Sequence, residues 1–174
     1  TTGYGYWNGT NYNYDSPNNT LQGIGLHIYG NENNITQAAD INSSGTGSVG
    51  ARIDGVRNTF TLNDNNKITT SGSNSIGVAV TYGSGHNINL KPGSSVQATG
   101  ENGIGISMDF GSNILGKDIA ERGSYINSEF SRDADVNPGS DLSGSLVKNL
   151  NMEGKVSGST AAVYISDNAY VENI

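Results

Sequence analysis

The chain of 174 residues contains no cysteine, and charged residues make up only 14% of it. The missing cysteine excludes disulfides, thiol catalysis and thiolate metal sites, and it suits a chain that crosses an oxidising compartment before it folds. Nine Lys and Arg face sixteen Asp and Glu, for a formal net charge of -7. Without a basic patch to neutralise phosphates, we expect neither nucleic acid nor an anionic membrane surface as a partner. No apolar run is long enough to cross a bilayer as a helix, so we expect no direct membrane insertion of this segment.

A short pattern that begins at Ile24 recurs three more times along the chain. Its four copies read IGLHI at 24–28, VGARI at 49–53, IGVAV at 76–80 and IGISM at 104–108. Self-similarity at a period of about 20–50 residues is the signature of a repeat architecture. Because each copy alternates over two residues and is rich in β-branched residues, the repeated unit is predicted to be a strand.

Two further strand-like pieces follow each copy before the next one begins, as at 59–62 and near Ile68 in the second repeat. The sequence therefore predicts an all-β parallel β-helix, or β-solenoid, with three short strands per coil of about 25–28 residues and a narrow core. We expect three inward columns in the first sheet: Ile24/Val49/Ile76/Ile104, Leu26/Ala51/Val78/Ile106 and Ile28/Ile53/Val80/Met108. The glycines within these strands predict a close backbone approach or an unusual φ.

The repeat pattern divides the chain into four segments. We expect residues 1–19 to form a Tyr-rich N-terminal cap or edge segment, and residues 20–113 to form the regular coils. Residues 114–145 break the pattern with many charged side chains, and we expect them to project as an insertion. Residues 146–174 resume the coils and stop in mid-coil. Since both ends fall within patterned sequence and the chain does not begin with Met, we expect a fragment of a longer protein.

The N-terminal segment concentrates aromatic residues among Gly, Asn and Thr. They are Tyr4, Tyr6, Trp7, Tyr12 and Tyr14. The preferred interpretation is a cap whose rings close the first coil, and the alternative is a platform that stacks against sugar rings.

Two acidic residues are the candidate catalytic groups. The outward columns should align His27, Arg52, Ala79 and Ser107, and beside them Tyr29, Asp54, Thr81 and Asp109. Asp54 and Asp109 would then lie two rungs, about 9.6 Å, apart, near the upper limit of the separation of about 6.5–9.5 Å in inverting glycosidases. The alternative is a solvated surface on which Arg52 lies near Asp54.

Other chemistry has weaker support. No Asp-Ser/Thr-Gly, His-Gly-Thr or Gly-Thr-Ser block of a subtilisin-like protease is present, and His86, in a Gly-rich turn, is expected at the surface. The sequence has neither the Gly-rich nonapeptide repeat nor the EF-hand spacing of calcium sites. We therefore predict no metal and no cofactor.

Ordered blocks of the chain resemble a known family. They read GVRNTFTLNDNNKITTSGSNSIGVAVTYGSGHNINL (55–90), GENGIGISMDFGSN (100–113), ERGSYI (121–126) and SGSLVKNLNMEGKVSGSTAAVYISDNAYVENI (143–174). Over roughly residues 48–174 the chain resembles the passenger region of bacterial autotransporters, most closely that of subtilisin-like serine-protease autotransporters. The resemblance implies a right-handed β-helix at the bacterial cell surface, exported across the outer membrane with a C-terminal translocator barrel of the same parent chain.

Three functions follow as hypotheses. The leading one is a non-catalytic stalk that presents loops for adhesion, with a host glycan or matrix protein as a candidate partner, or carries a protease module located elsewhere in the parent. The second is a carbohydrate-active β-helix enzyme, a polysaccharide lyase or an inverting glycoside hydrolase, that uses Asp54, Asp109 and Arg52. The third is a glycan-binding β-helix of the phage type.

Overall fold

The computed structural model describes residues 23–28, 30–109, 145–167 and 169–174, together with the backbone of two short N-terminal strands. Those strands are β1 (Tyr6–Trp7) and β2 (Tyr12–Asn13), which pair antiparallel with Trp7 opposite Tyr12. Fourteen strands follow: β3 (Ile24–Ile28), β4 (Asn34–Gln37), β5 (Ile41–Ser43), β6 (Val49–Ile53), β7 (Thr59–Leu62), β8 (Lys67–Thr70), β9 (Ile76–Val80), β10 (His86–Leu90), β11 (Ser95–Ala98), β12 (Ile104–Met108), β13 (Val147–Met152), β14 (Lys155–Gly158), β15 (Ala161–Ile165) and β16 (Val171–Asn173). In the part of the chain so described, no helix is long and apolar enough to span a bilayer.

These fourteen strands form three parallel sheets, and successive strands along the chain belong to sheets 1, 2 and 3 in turn. Sheet 1 has the order β3-β6-β9-β12-β15, sheet 2 the order β4-β7-β10-β13-β16, and sheet 3 the order β5-β8-β11-β14. Each of the first four repeats thus contributes one strand to each sheet, and β15 and β16 add a fifth strand to sheets 1 and 2. Equivalent strands of successive repeats are hydrogen-bonded neighbours. The register pairs Ile28 with Ile53 and Ile53 with Val80. The prediction of an all-β fold with three parallel sheets is confirmed.

Apolar side chains from all three sheets meet in one core. Ile53 of sheet 1, Phe60 of sheet 2 and Ile68 of sheet 3 belong to a single cluster, and each is fully buried. The predicted column Ile28/Ile53/Val80/Met108 lies in this cluster, with no member more than 4% exposed. A repeat of about 27 residues cannot enclose such side chains alone, so burial depends on stacking.

The prediction that the column Ile24/Val49/Ile76/Ile104 faces the main core is wrong. Its members do align in register, but Val49 packs with Ala79 in a separate cluster, against which Ile24 and Ile76 are partly buried. The position that faces the core is the next one along the strand, which is glycine in each copy. Ala51 and Ile53, which follow this glycine, also belong to the core. Strict alternation is therefore interrupted at the glycine, and Ile24 and its equivalents lie on the opposite face of sheet 1.

The glycines in these strands allow sheet 1 to approach sheet 3 closely. A Cβ built on Gly50 would lie 2.2 Å from Ile68 Cγ2 and 2.5 Å from the Gly77 carbonyl oxygen, and one built on Gly77 would lie 2.4 Å from Val96 Cγ1. The predicted close backbone approach is therefore found here. A separate column of glycines, at the corners after β3, β6 and β9, has positive φ, with 92° at Gly55 and 97° at Gly83.

The corner between sheets 1 and 2 differs in length at one repeat. It takes five residues between β3 and β4, β6 and β7, β9 and β10, and β15 and β16, whereas 38 residues, 109–146, join β12 to β13. The predicted insertion, 114–145, lies outside the described residues except for the buried Ser145.

Substitution of Val78 by Asp tests the core. Val78 is fully buried in the main cluster, so a carboxylate there has no partner, and we expect the free energy of unfolding to fall by about 3 kcal/mol or more. Chemical denaturation measures this change. The control Ser157→Asp, at an exposed strand position, should change stability by less than about 0.5 kcal/mol. Equal effects of the two substitutions would contradict the assignment of the core.

Substitution of Gly50 by Ala tests the contact between sheets 1 and 3. The added methyl group would overlap both a side chain and a backbone oxygen, and overpacking of this kind costs about 1–3 kcal/mol. Thr69→Ala, on the outward side of neighbouring sheet 3, is the control and should be near neutral. A stabilising effect of Gly50→Ala, as expected for glycine in an unconstrained strand, would show that the sheets are further apart.

Candidate functional site

The candidate catalytic residues lie on the outer face of sheet 1, at the carboxyl end of its strands or one position beyond them. The register aligns His27, Arg52, Ala79 and Ser107 as neighbours. One position beyond the strands, backbone N–H groups of Asp54, Thr81 and Asp109 donate to Ile28, Ile53 and Val80 carbonyls at 3.0–3.2 Å. Asp54 and Asp109 thus lie two rungs apart with Thr81 between them, in the predicted alignment.

The interpretation of Arg52 and Asp54 as solvated surface charges is wrong. Arg52 is 5% exposed and Asp54 is 2% exposed, and their column neighbours Ala79 and Thr81 are also buried. The alternation of a strand predicts which side chains share a face, but it does not predict whether that face meets water. Here the outer face of sheet 1 is covered at its carboxyl end.

The Asp54 carboxylate is the centre of a buried polar cluster. Its Oδ2 lies 2.7 Å from Arg52 Nε and 2.7 Å from His27 Nε2, and its Oδ1 accepts a hydrogen bond from the Thr81 hydroxyl. The Arg52 N–H is not directed at the carboxylate, so this contact is an ion pair by distance and Nε has no hydrogen-bond partner. We call Asp54, Arg52, His27 and Thr81 the Asp54 cluster.

The cluster favours the ionised form of Asp54. Burial alone would raise the pKa of this carboxyl, but the positive charge of Arg52 and the hydrogen bonds from His27 and Thr81 outweigh it and hold the pKa below its usual value of 3.8. Asp54 is therefore a carboxylate at neutral pH whose two oxygens are both engaged. A general acid or base needs direct access to its substrate, and at 2% exposure Asp54 does not have it in this arrangement.

A second buried polar group lies at the same corner and was missed by sequence reasoning. The Asn58 side chain donates to the carbonyls of Gly30 and Asp54, at 2.7 Å each, and its Oδ1 accepts from the Asn33 backbone N–H at 2.8 Å. The recurrence of Asn at the end of the corner, at positions 33 and 58, was the available signal. These bonds join successive corners of the stack.

His86 is fully buried, so its expected surface location is wrong. Its Nδ1 accepts from the Asn58 backbone N–H at 3.3 Å, and its Nε2 lies 2.9 Å from the Tyr82 carbonyl oxygen. Because a backbone N–H can only donate and a carbonyl can only accept, the ring is the neutral tautomer with its proton on Nε2. Burial lowers the pKa of His86, against the raising effect of its backbone hydrogen bonds. His86 thus fixes the corner and is no candidate base.

The structure describes the other predicted site residues only in part. Asp109 is partly buried at the end of β12. Trp7 and Tyr12 are opposite one another in the backbone of β1 and β2, while Tyr4 and Tyr14 lie outside the described residues, as does the contact of this segment with the first coil. Within the described ranges, no three His, Asp or Glu side chains are grouped closely enough to hold a metal ion.

Comparison of the chain with protein-family models, with curated proteins and with solved structures gives no match. The resemblance to autotransporter passengers therefore stays a prediction from the sequence.

The Asp54 cluster predicts an acid-sensitive contribution to stability. Because the folded-state pKa of Asp54 is lowered, the contribution is complete well above the usual value and is lost as the pH falls through the folded pKa. At pH 7, Asp54→Asn leaves Arg52 buried without its counter-charge and should cost about 3–5 kcal/mol. The difference between wild type and variant, measured by denaturation, should shrink below pH 3.8.

The double variant Arg52→Met, Asp54→Asn is the matched control for this prediction. It removes both charges, so we expect it to regain most of the stability lost in Asp54→Asn alone. A difference between wild type and Asp54→Asn that stays constant down to about pH 2 would contradict the assigned ionisation of Asp54.

Proposed function

We propose that the chain is a right-handed parallel β-helix that serves as a non-catalytic stalk segment of a bacterial autotransporter passenger, at the cell surface or secreted. Its role is to hold surface loops, or a protease module elsewhere in the parent, away from the membrane. Its partners are the translocator barrel of the same parent and a host glycan or matrix protein.

The observation that carries this proposal is the in-register stack of three parallel sheets around one core. A stack of this kind grows by adding equivalent repeats, each of which buries the apolar end of the one before it. Such growth gives a rigid spacer whose length is set by the number of repeats. The absence of cysteine supports export, since a chain that stays unfolded during secretion then has no thiol to cross-link.

The Asp54 cluster supports a structural role for the candidate catalytic residues. Arg52, His27 and Thr81 occupy both oxygens of Asp54, and Thr81 lies on the rung between Asp54 and Asp109. In an inverting glycosidase, a water and a sugar must fit between the two carboxyl groups. This geometry favours the stalk over the alternative of a polysaccharide lyase or glycoside hydrolase.

Activity assays test the proposal directly. The purified chain should hydrolyse or cleave neither peptides nor neutral and uronate polysaccharides, because the described residues offer no accessible pair of catalytic groups. The double variant Asp54→Asn, Asp109→Asn should be indistinguishable from wild type in product release. Turnover by wild type that disappears in the double variant would contradict the proposed stalk and support the carbohydrate-active enzyme.

The coding region downstream of Ile174 tests the autotransporter assignment separately. It should encode further repeats followed by a C-terminal translocator barrel. A reading frame without a barrel would contradict this assignment, and the activity assay would still decide between a stalk and an enzyme.

A further inference from the structure

The outward side of sheet 2 carries a regular array of two residue types. Phe60, Leu62, Ile88 and Leu90 of its strands point into the core, so the alternate positions face away from it. In β4, β7 and β10 every such position is Asn or Thr, and the register continues them into β13 and β16, where exposed Lys148 and Glu172 lie beside them. We call the aligned residues the Asn/Thr face: Asn34, Thr36, Thr59, Thr61, Asn87, Asn89, Asn149, Asn151 and Asn173.

The register sets these side chains in two columns. One runs through Asn34, Thr59, Asn87, Asn149 and Asn173, and the other through Thr36, Thr61, Asn89 and Asn151. Neighbours within a column are about 4.8 Å apart, and the two columns are about 6.6 Å apart along the strands. The face therefore repeats in two directions.

Hydrogen bonds between rungs fix the orientation of the amides. Asn149 Nδ2 donates to Asn87 Oδ1 at 2.7 Å, Asn151 Nδ2 donates to Asn89 Oδ1 at 2.8 Å, and Asn173 Nδ2 donates to Asn149 Oδ1 at 3.1 Å. In each of these bonds, the amide donates toward the preceding repeat. An amide has two N–H donors and two acceptor lone pairs, so each interior amide keeps a donor and an acceptor for an outside group.

Stacking alone explains the ladders, but it does not explain why the face is uncharged. Among the strands of sheet 2, β4, β7 and β10 carry no ionised side chain, since His86 is neutral, and the charges are Lys148 at the bulge of β13 and Glu172 in β16. Sheet 3 has the same stacking, yet exposed Lys67 and Lys155 stand in one of its columns. The three rungs of β4, β7 and β10 thus present only uncharged amides and hydroxyls, a surface matched to a neutral ligand.

We propose that the Asn/Thr face binds a neutral polysaccharide that lies along the stack, with its hydroxyl groups hydrogen-bonded to the outward amides and threonine hydroxyls. A polysaccharide of neutral sugars offers donors and acceptors at regular intervals and spans several rungs. Polyanions are disfavoured by the net charge of -7. A strand of another protein is disfavoured because the interior strands of sheet 2 already use their backbone groups within the sheet.

The fixed amides lower the entropy cost of such binding. Side chains already held by ladder hydrogen bonds lose little rotamer freedom when a ligand arrives. Each hydrogen bond to a sugar hydroxyl contributes little on its own, so affinity requires contacts on several rungs. This inference goes beyond the proposed stalk and does not depend on export or on the N-terminal aromatic residues.

Depletion binding of the whole chain to microcrystalline cellulose, chitin and an insoluble mannan tests the proposal. Wild type should bind at least one of them, with little change between low and high salt because no charges are involved. The double variant Asn87→Lys, Asn89→Lys should weaken binding about tenfold or more. The matched control Thr69→Lys, Gln97→Lys, at outward positions of β8 and β11, should bind like wild type.

Thermal melting separates binding from folding in these variants, and Asn151→Lys gives a second readout. Asn151 is exposed, so the substitution should leave the fold intact and still weaken binding several-fold. The proposal is overturned if wild type binds none of the three polysaccharides, if sheet 2 and sheet 3 variants weaken equally, or if polygalacturonate binds more tightly. Adsorption to growing ice without polysaccharide binding would also overturn it.

Discussion

Parallel, in-register hydrogen bonding between successive repeats is the interaction on which the other features of this structure depend. The strands of the three sheets are only three to six residues long, and none of them could hold its apolar side chains away from water alone. Register places each residue on its equivalent in the next repeat. The core column Ile28/Ile53/Val80/Met108 and the amide ladders of sheet 2 both follow from that one constraint.

Stacking also explains how polar groups come to be buried at the corner between sheets 1 and 2. The rung below Asp54 supplies His27 and the rung above supplies Thr81, so the carboxylate is surrounded by groups from three repeats. The side chains of Asn58 and His86 likewise form hydrogen bonds with backbone groups of the preceding corner. Burying a charge is costly unless it is paired, and here the pairing joins repeats. We therefore infer that these residues stabilise the stacking of successive repeats, a structural role that suits a stalk better than an enzyme.

Much of the fold could be predicted from the sequence, because a repeated strand pattern specifies both register and sheet number. The site could not be predicted in the same way. The error at Ile24 arose because the prediction did not consider which face of the sheet Gly25 and its equivalents occupy. These glycines face Ile41, Ile68 and Val96 of sheet 3, which leave no room for a Cβ. The errors at Arg52, Asp54 and His86 have another cause. Burial of an outer face or a Gly-rich corner depends on what packs over it, and strand periodicity contains no information about that.

Cysteine pairs test the central claim most directly, because the chain has no cysteine of its own. Thr61 and Asn89 are register partners in sheet 2, and the rung spacing of about 4.8 Å lies within disulfide range. Thr61 and Asn87 are diagonal neighbours about 8 Å apart, beyond that range. Under mild oxidation, the Thr61→Cys, Asn89→Cys chain should form an intramolecular disulfide rapidly, and the Thr61→Cys, Asn87→Cys chain should not. Faster cross-linking of the diagonal pair would contradict the in-register parallel stack.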